Sequence, residues 1–147
     1  MSTWSSLAPL ALTALPVDVR RRLVEEQLLH PRRYLAACGI PSVAIEEPEF
    51  HPGFALWRCW RGPSWINIAW LLVPPMYELG YEREAERVVS SLEVAVDRYG
   101  YREYYNPLTG RGLAARGFGF STLLIDLLAQ CGIGPRESSD AGRMIRP

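Results

Sequence analysis

The sequence predicts an all-α fold of about four helices separated by long loops. Three observations carry that expectation. Apolar residues recur at helical spacing in several segments. Proline and glycine cut the chain between those segments. No apolar–polar alternation is long enough to build a sheet, and only Ser42 to Ile45 could pair locally.

The first helix follows Pro16, whose fixed φ suits a first turn, and Asp18 adds favourable negative charge there. Val19, Leu23, Val24, Leu28 and Leu29 recur at roughly helical spacing, with Arg21, Arg22, Glu25 and Glu26 on polar faces, and His30-Pro31 ends it. Residues 31 to 63 are punctuated by Pro31, Gly39, Pro41, Pro48, Pro52, Gly53, Gly62 and Pro63. A structured loop of that length is uncommon in a compact domain and is usually functional. A second helix is expected from near Ser64 to Leu79, with a kink or a new segment at Pro74-Pro75. A third runs from Glu82 to Tyr99, with Ala85, Val88, Val89, Leu92, Ala95 and Val96 as its apolar stripe. Gly80 and Gly100 are the stops of these two helices. A second loop, Tyr101 to Arg116, precedes a last helix from Phe118 to Gln130. The polar residues 136–147 read as a tail.

Composition narrows the function. The chain has 147 residues, 48% of them hydrophobic, enough for a core. Sixteen basic and sixteen acidic residues leave no net charge, which argues against nucleic acid or an anionic membrane as partner. All the basic residues are arginine. Cys38, Cys59 and Cys131 form no CxxC pair, so neither a disulfide framework nor a zinc site is expected, and a reducing cytoplasm is the default. No metal or other cofactor is implied. The apolar start, Trp4 to Leu15, lacks a preceding basic residue and is interrupted by Pro9, unlike a secretory signal. The apolar run Trp65 to Val73 falls short of the ~20 residues that span a bilayer.

Two loops concentrate aromatic and polar groups. One is Trp57-Arg58-Cys59-Trp60-Arg61-Gly62-Pro63-Ser64-Trp65, followed by Asn67 and Trp70; the other is Tyr99 to Pro107, with Glu103 at its centre. Four of the five tryptophans lie between residues 57 and 70. Sugars offer flat C–H faces to aromatic rings and hydroxyl rims to Arg, Glu and Asn, so this composition suits a carbohydrate cleft. The same tryptophans could equally plug a core, Arg61 could cap carbonyls, and Glu103 could be a solvated loop residue.

The motifs decide between these readings. Trp60-Arg61-Gly62-Pro63-Ser64-Trp65-Ile66-Asn67 resembles the Trp-Arg-Gly-Pro-x-Trp-x-Asn signature of family 63 glycoside hydrolases, of the bacterial glucosylglycerate and mannosylglycerate hydrolase type. Gly100 to Gly110 is similar to their Gly-aromatic-x-Glu-Tyr-aromatic-x-Pro-x-Thr-Gly element. Gly117-Phe118-Gly119-Phe120-Ser121 resembles the Gly-Phe-Gly-Trp-Thr turn of the related trehalases, and Gly39-Ile40-Pro41-Ser42 resembles a further family loop. Three motifs in order make the resemblance specific. Cys59, Ala69 and Phe120 depart from the family pattern, which bears on sugar preference rather than on the base.

The resemblance implies the C-terminal portion of an (α/α)₆ toroid, a six-hairpin glycosidase, over residues 1–135. It implies an inverting mechanism, in which an acid protonates the leaving oxygen while a carboxylate activates water on the opposite face. Glu103 matches the general base, with Arg61 expected nearby to favour its ionised form. Trp60, Arg61, Trp65, Tyr104 and Phe120 match sugar-binding positions and walls of the cleft. The family's general acid, an upstream aspartate, has no counterpart in this sequence. The implied substrate is a small carbohydrate such as glucosylglycerate or mannosylglycerate. The implied partner is the missing N-terminal portion of the toroid or a second copy of the chain, since an open arc of helices leaves apolar faces bare. On this reading the isolated chain is incomplete and inactive. The alternative is a non-enzymatic helical module that keeps a sugar-binding or interaction face.

Overall fold

The computed structural model describes residues 1–132, and the expected polar tail lies outside them. A 3-10 helix, Trp4–Ala11, leads to α1 (Val17–Arg22), which widens into a π turn over Leu23–Leu28. The Leu29 N–H reaches back to the Val24 carbonyl at 2.8 Å to close that wider turn. Pro16 sits one position outside α1, as its N-cap. After the long loop come α2 (Ile66–Glu78) and α3 (Glu82–Tyr99). A hairpin of β1 (Arg102–Tyr105) and β2 (Gly112–Arg116) follows, then a 3-10 turn (Gly119–Thr122) and α4 (Leu123–Gln130).

The central element is α2, because its sequence is apolar on nearly every side. Ile66, Ile68, Ala69, Leu72, Val73, Pro75 and Met76 are all buried. Around it pack α3, α4 and the N-terminal 3-10 helix, which delivers Leu7 and Leu10. The stripe of α3 enters the core as expected, with Ala85, Val88, Val89, Leu92 and Ala95 buried and Val96 at its margin. Buried Arg20 fastens these layers. Its Nε donates to the Leu10 carbonyl at 2.9 Å and its terminal nitrogen reaches Glu78, at the end of α2, at 2.8 Å. No helix among the described residues is long and apolar enough to cross a membrane.

Two expectations need correction. No new segment starts at Pro74-Pro75, because α2 runs through both. The prolines leave the carbonyls of Trp70 and Leu71 without their intrahelical donors, and burial of the whole helix outweighs that loss. Nor is the fold purely helical, since the second loop is an antiparallel hairpin. The strands have only four and five residues, and Tyr104 and Tyr105 are buried side by side. With packing on both faces at that point, the alternation that marks a half-buried strand is absent. Asn106 makes the turn, its Oδ1 accepting from the N–H groups of Leu108 and Thr109 at 2.9 and 3.1 Å.

The first half of the long loop is pinned throughout. The Ile45 and Glu46 N–H groups donate to the carbonyls of Arg33 and Arg32, and the Arg33 guanidinium meets Glu46 at 2.9 Å. Ser42 to Ile45 pairs not locally but with the N-terminus, through an isolated bridge of Val43 with Thr3.

Candidate active site

Ser64 joins the two motif-bearing loops. Its N–H donates to the Tyr105 carbonyl at 2.8 Å, and the Tyr105 N–H returns to the Ser64 carbonyl at 2.9 Å. On its other side it bridges Pro41, and its hydroxyl donates to the Cys38 carbonyl at 2.7 Å. Ser64 is wholly buried, so these bonds form away from water, where losing one costs most. The Trp-Arg-Gly-Pro segment and the Glu103 strand are thereby laid side by side. Gly62 lets the first of them turn. It has φ +149°, and a Cβ there would meet the His51 backbone at 2.6 Å.

Above this frame the aromatic rings form one continuous cluster. Trp60 and Trp65 stack with centroids 4.0 Å apart and planes 2° from parallel. Tyr104 lies against Trp65 at 4.9 Å, and Phe118 meets its edge at 6.3 Å. Phe120 extends the cluster from Phe118 at 5.5 Å, and Trp4 from the N-terminal helix approaches Trp60 at 6.2 Å. Trp65 is buried beneath Trp60, with its indole N–H donating to the Cys59 carbonyl at 2.8 Å. Trp60 and Phe120 reach solvent, so they carry the exposed apolar rim of the cluster. Burial pushes the Tyr104 phenol up to about 12, with the neighbouring Glu103 charge as a second cause. Tyr104 is therefore a neutral wall at any physiological pH.

Glu103 stands opposite a β-bulge. The register pairs Arg102 with Arg116 and Tyr104 with Leu113, so Glu103 alone faces both Ala114 and Ala115. A bulge leaves one residue unpaired and re-aims its neighbours, and such bulges collect near active sites. Here Ala114 adopts φ +58°, a conformation disfavoured for a residue with a Cβ. The N–H of Ala115 turns to the Glu103 carboxylate and donates to one of its oxygens at 3.4 Å. Among the described residues the other oxygen has no protein donor and remains able to accept from water or a sugar hydroxyl. Glu103 itself is half-buried. The neighbouring turn is held from below. The Tyr105 hydroxyl accepts from the Arg102 N–H at 3.0 Å and donates to the Gly100 carbonyl at 2.8 Å, and the Ser121 hydroxyl donates to the Arg102 carbonyl.

Arg61, expected near Glu103, is exposed and forms no ion pair with it among the described residues. Its backbone is nevertheless fixed, since its carbonyl accepts from the His51 N–H at 2.6 Å. Several residues that hold the site escape a reading of side-chain chemistry. Trp4 comes from far along the sequence. Ser64 occupies the variable position of its motif, and Ala114 carries a backbone role that alanine does not advertise. Asn67, within the first motif, has a buried Oδ1 without a partner.

Comparison with known proteins adds context to this geometry. The model of the family described as "Mannosylglycerate hydrolase MGH1-like glycoside hydrolase domain" matches residues 1–121. A mannosylglycerate hydrolase of Thermus thermophilus is 40% identical over 92 residues, which are 63% of this chain and 20% of that protein. The mannosylglycerate hydrolase of Rubrobacter radiotolerans is 34% identical over 93 residues, 63% of this chain and 21% of that protein. Among solved structures, a GH63 mannosylglycerate hydrolase from another strain of Thermus thermophilus, in complex with glucose, is similar with a TM-score of 0.72 and 32% identity. That match covers 87% of this chain and 29% of the other. The chain thus spans about a fifth of the length of these curated relatives.

Proposed function

Because the chain belongs to the mannosylglycerate hydrolase MGH1-like glycoside hydrolase family, we propose that it supplies the base-bearing wall of an inverting glycosidase. The substrate class is a small α-mannoside or α-glucoside, with mannosylglycerate or glucosylglycerate as the type. The wall is one arc of an (α/α)₆ toroid. The observation that carries this reading is the reciprocal pair of backbone bonds between Ser64 and Tyr105, which sets Glu103 beside the tryptophan motif.

In the proposed reaction the free oxygen of Glu103 takes a proton from water as that water attacks the anomeric carbon. A carboxylic acid on the opposite face of the sugar protonates the departing oxygen, and the configuration inverts. The two carboxyl groups stand roughly 6.5–9.5 Å apart to leave room for the water. The acid comes from a part of the toroid that this chain does not span. Trp60 and Phe120 present apolar faces to the sugar, Arg61 offers donors to its hydroxyls, and Trp65 and Tyr104 back the rim.

The exposed apolar loop supports the need for more protein. Phe54, Leu56 and Trp57 all project into solvent, Trp57 with 90% of its surface bare. Large apolar side chains concentrated and exposed in one short loop suit an interaction site.

The test combines this chain with the remaining helices of a family enzyme and follows mannosylglycerate and glucosylglycerate by NMR. The expected result is hydrolysis by the combination alone, with release of the inverted anomer. Glu103→Gln should lower turnover by ~10²–10⁴-fold, the usual contribution of a positioned base, with little change in sugar affinity. Hydrolysis by the isolated chain, retention of configuration, or full turnover in Glu103→Gln would each refute the proposal.

A further inference from the structure

Beside the hairpin, and separate from the aromatic cluster, four arginines line one pocket. Arg98 comes from the end of α3, Arg102 from β1, Arg116 from β2 and Arg111 from the turn, with Tyr99 and Gly112 completing a space of about 360 Å³. No carboxylate lines it, and none of the four arginines is ion-paired among the described residues. The Nε of Arg102 is buried and has no hydrogen-bond partner. Arg102 and Arg116 are moreover a cross-strand pair, and like charges directly opposite in a hairpin repel.

The pocket is shaped for this arrangement. A Cβ on Gly112 would lie 2.4 Å from Cγ of Arg102 and 2.7 Å from Cβ of Tyr99. The bare glycine is thus what allows the Arg102 stem to lie across the hairpin against Tyr99. Arg98 sits over the Tyr99 ring at 5.4 Å. Clustered guanidinium groups without counterions, one of them with a packed stem and a buried unsatisfied donor, are the chemistry that receives a tetrahedral oxyanion through paired N–H donors.

We propose that this pocket binds a small dianionic oxyanion of the phosphate type, free or as the phosphate group of a small ester. Its volume exceeds that of one tetrahedral anion and leaves room for an attached group. The anion neutralises the repulsion between Arg102 and Arg116 and ties β1 to β2, the strands that hold Glu103 and its bulge. This inference is independent of the hydrolase reading, because its readout is binding and not turnover.

The test is the thermal midpoint of the full chain at constant ionic strength, with inorganic phosphate in one arm, glucose 6-phosphate in a second and chloride alone as control. Saturating phosphate should raise the midpoint by about 2 °C or more, as expected for a ligand that binds only the folded state. A larger rise with the sugar phosphate assigns the spare volume to the ester group, and an equal rise assigns the site to the anion alone. Arg111→Gln and Arg116→Gln alter exposed side chains and leave the packed Arg102 stem in place, so both should fold. Each should weaken phosphate binding at least about tenfold in calorimetry, the loss of one charge-assisted contact. No rise beyond the chloride control, or unchanged affinity in both variants, overturns the proposal.

Discussion

Trp57 and Trp65 belong to the same aromatic segment, and the fold treats them in opposite ways. Trp65 is 3% exposed, stacked under Trp60, flanked by Tyr104 and Phe118, and bonded through its indole N–H. Trp57 is 90% exposed. The boundary between them is Gly62 to Ser64, where backbone bonds to Ser42 and Tyr105 fasten the chain to its neighbours. On one side of that boundary the motif is completed by this chain's own residues. On the other side, Trp60 folds back onto Trp65, while Phe54, Leu56 and Trp57 stand exposed. The difference separates the part of the segment that packs within this chain from the part that stays at its surface.

The sharpest way to test that division is Trp65→Ala. Removing a buried aromatic ring should destabilise the chain by about 3–5 kcal/mol, since both the transfer term and the cavity term apply. Chemical denaturation of the isolated chain measures it. A cost near zero would move Trp65 to the same class as Trp57 and erase the comparison. Ser64→Ala probes the boundary itself. It removes the donor to the buried Cys38 carbonyl and should cost about 1–3 kcal/mol, read by the same denaturation. The backbone bonds to Tyr105 persist in either variant, and Ser64→Gly should cost more than Ser64→Ala because it also loses the buried Cβ and frees the unfolded backbone.

Burial on the closed side also predicts a pH dependence. Tyr104 in the folded chain is held near 12, whereas an unfolded tyrosine titrates near its ordinary value of 10. Between those values the folded state retains a proton that the unfolded state has released, so stability falls as pH rises through this window. Burial likewise raises the Cys38 thiol, from 9 to about 11, so its contribution declines from the lower end of that range upward. Denaturation midpoints measured from neutral to alkaline pH should therefore drop, and Tyr104→Phe should flatten the upper part of the decline. A Tyr104→Phe profile with an unaltered slope would place this ring in contact with water.

The helices were legible because their signal is local. The stripe of α3 and its glycine stop are written in consecutive residues, and the structure follows them from Glu82 to Tyr99. The hairpin was not, because its strands are short and packed on both faces, which leaves no alternation to read. Glu103 was singled out by its motif, yet its setting was hidden. The bulge depends on Ala114 at positive φ, a task that a glycine would have signalled and an alanine conceals. The aromatic cluster was half legible: its tryptophans are dense in sequence, while Trp4 joins them through long-range contacts, among them the bonds between the N-terminal residues and Ser42 to Ala44. Burial of Trp65 beneath Trp60 likewise depends on the loop's path, which no periodicity encodes.

The smallest expected effect sharpens the comparison most. Trp57→Ala should change the stability of the isolated chain by no more than about 0.5 kcal/mol, because an exposed side chain away from any packed feature contributes little. In the combined enzyme the same substitution should weaken association by about 2 kcal/mol or more, the range of an aromatic anchor at the centre of an interface. Titration of the remaining helices with each variant measures this. Trp57 is then silent in one context and strong in the other, whereas Trp65 is already strong in the isolated chain. If Trp57→Ala is silent in both, the exposed loop has a role other than docking. In that case the docking surface proposed for this wall is to be sought among the other exposed apolar side chains of the helices, Val94 and Ile125 among them.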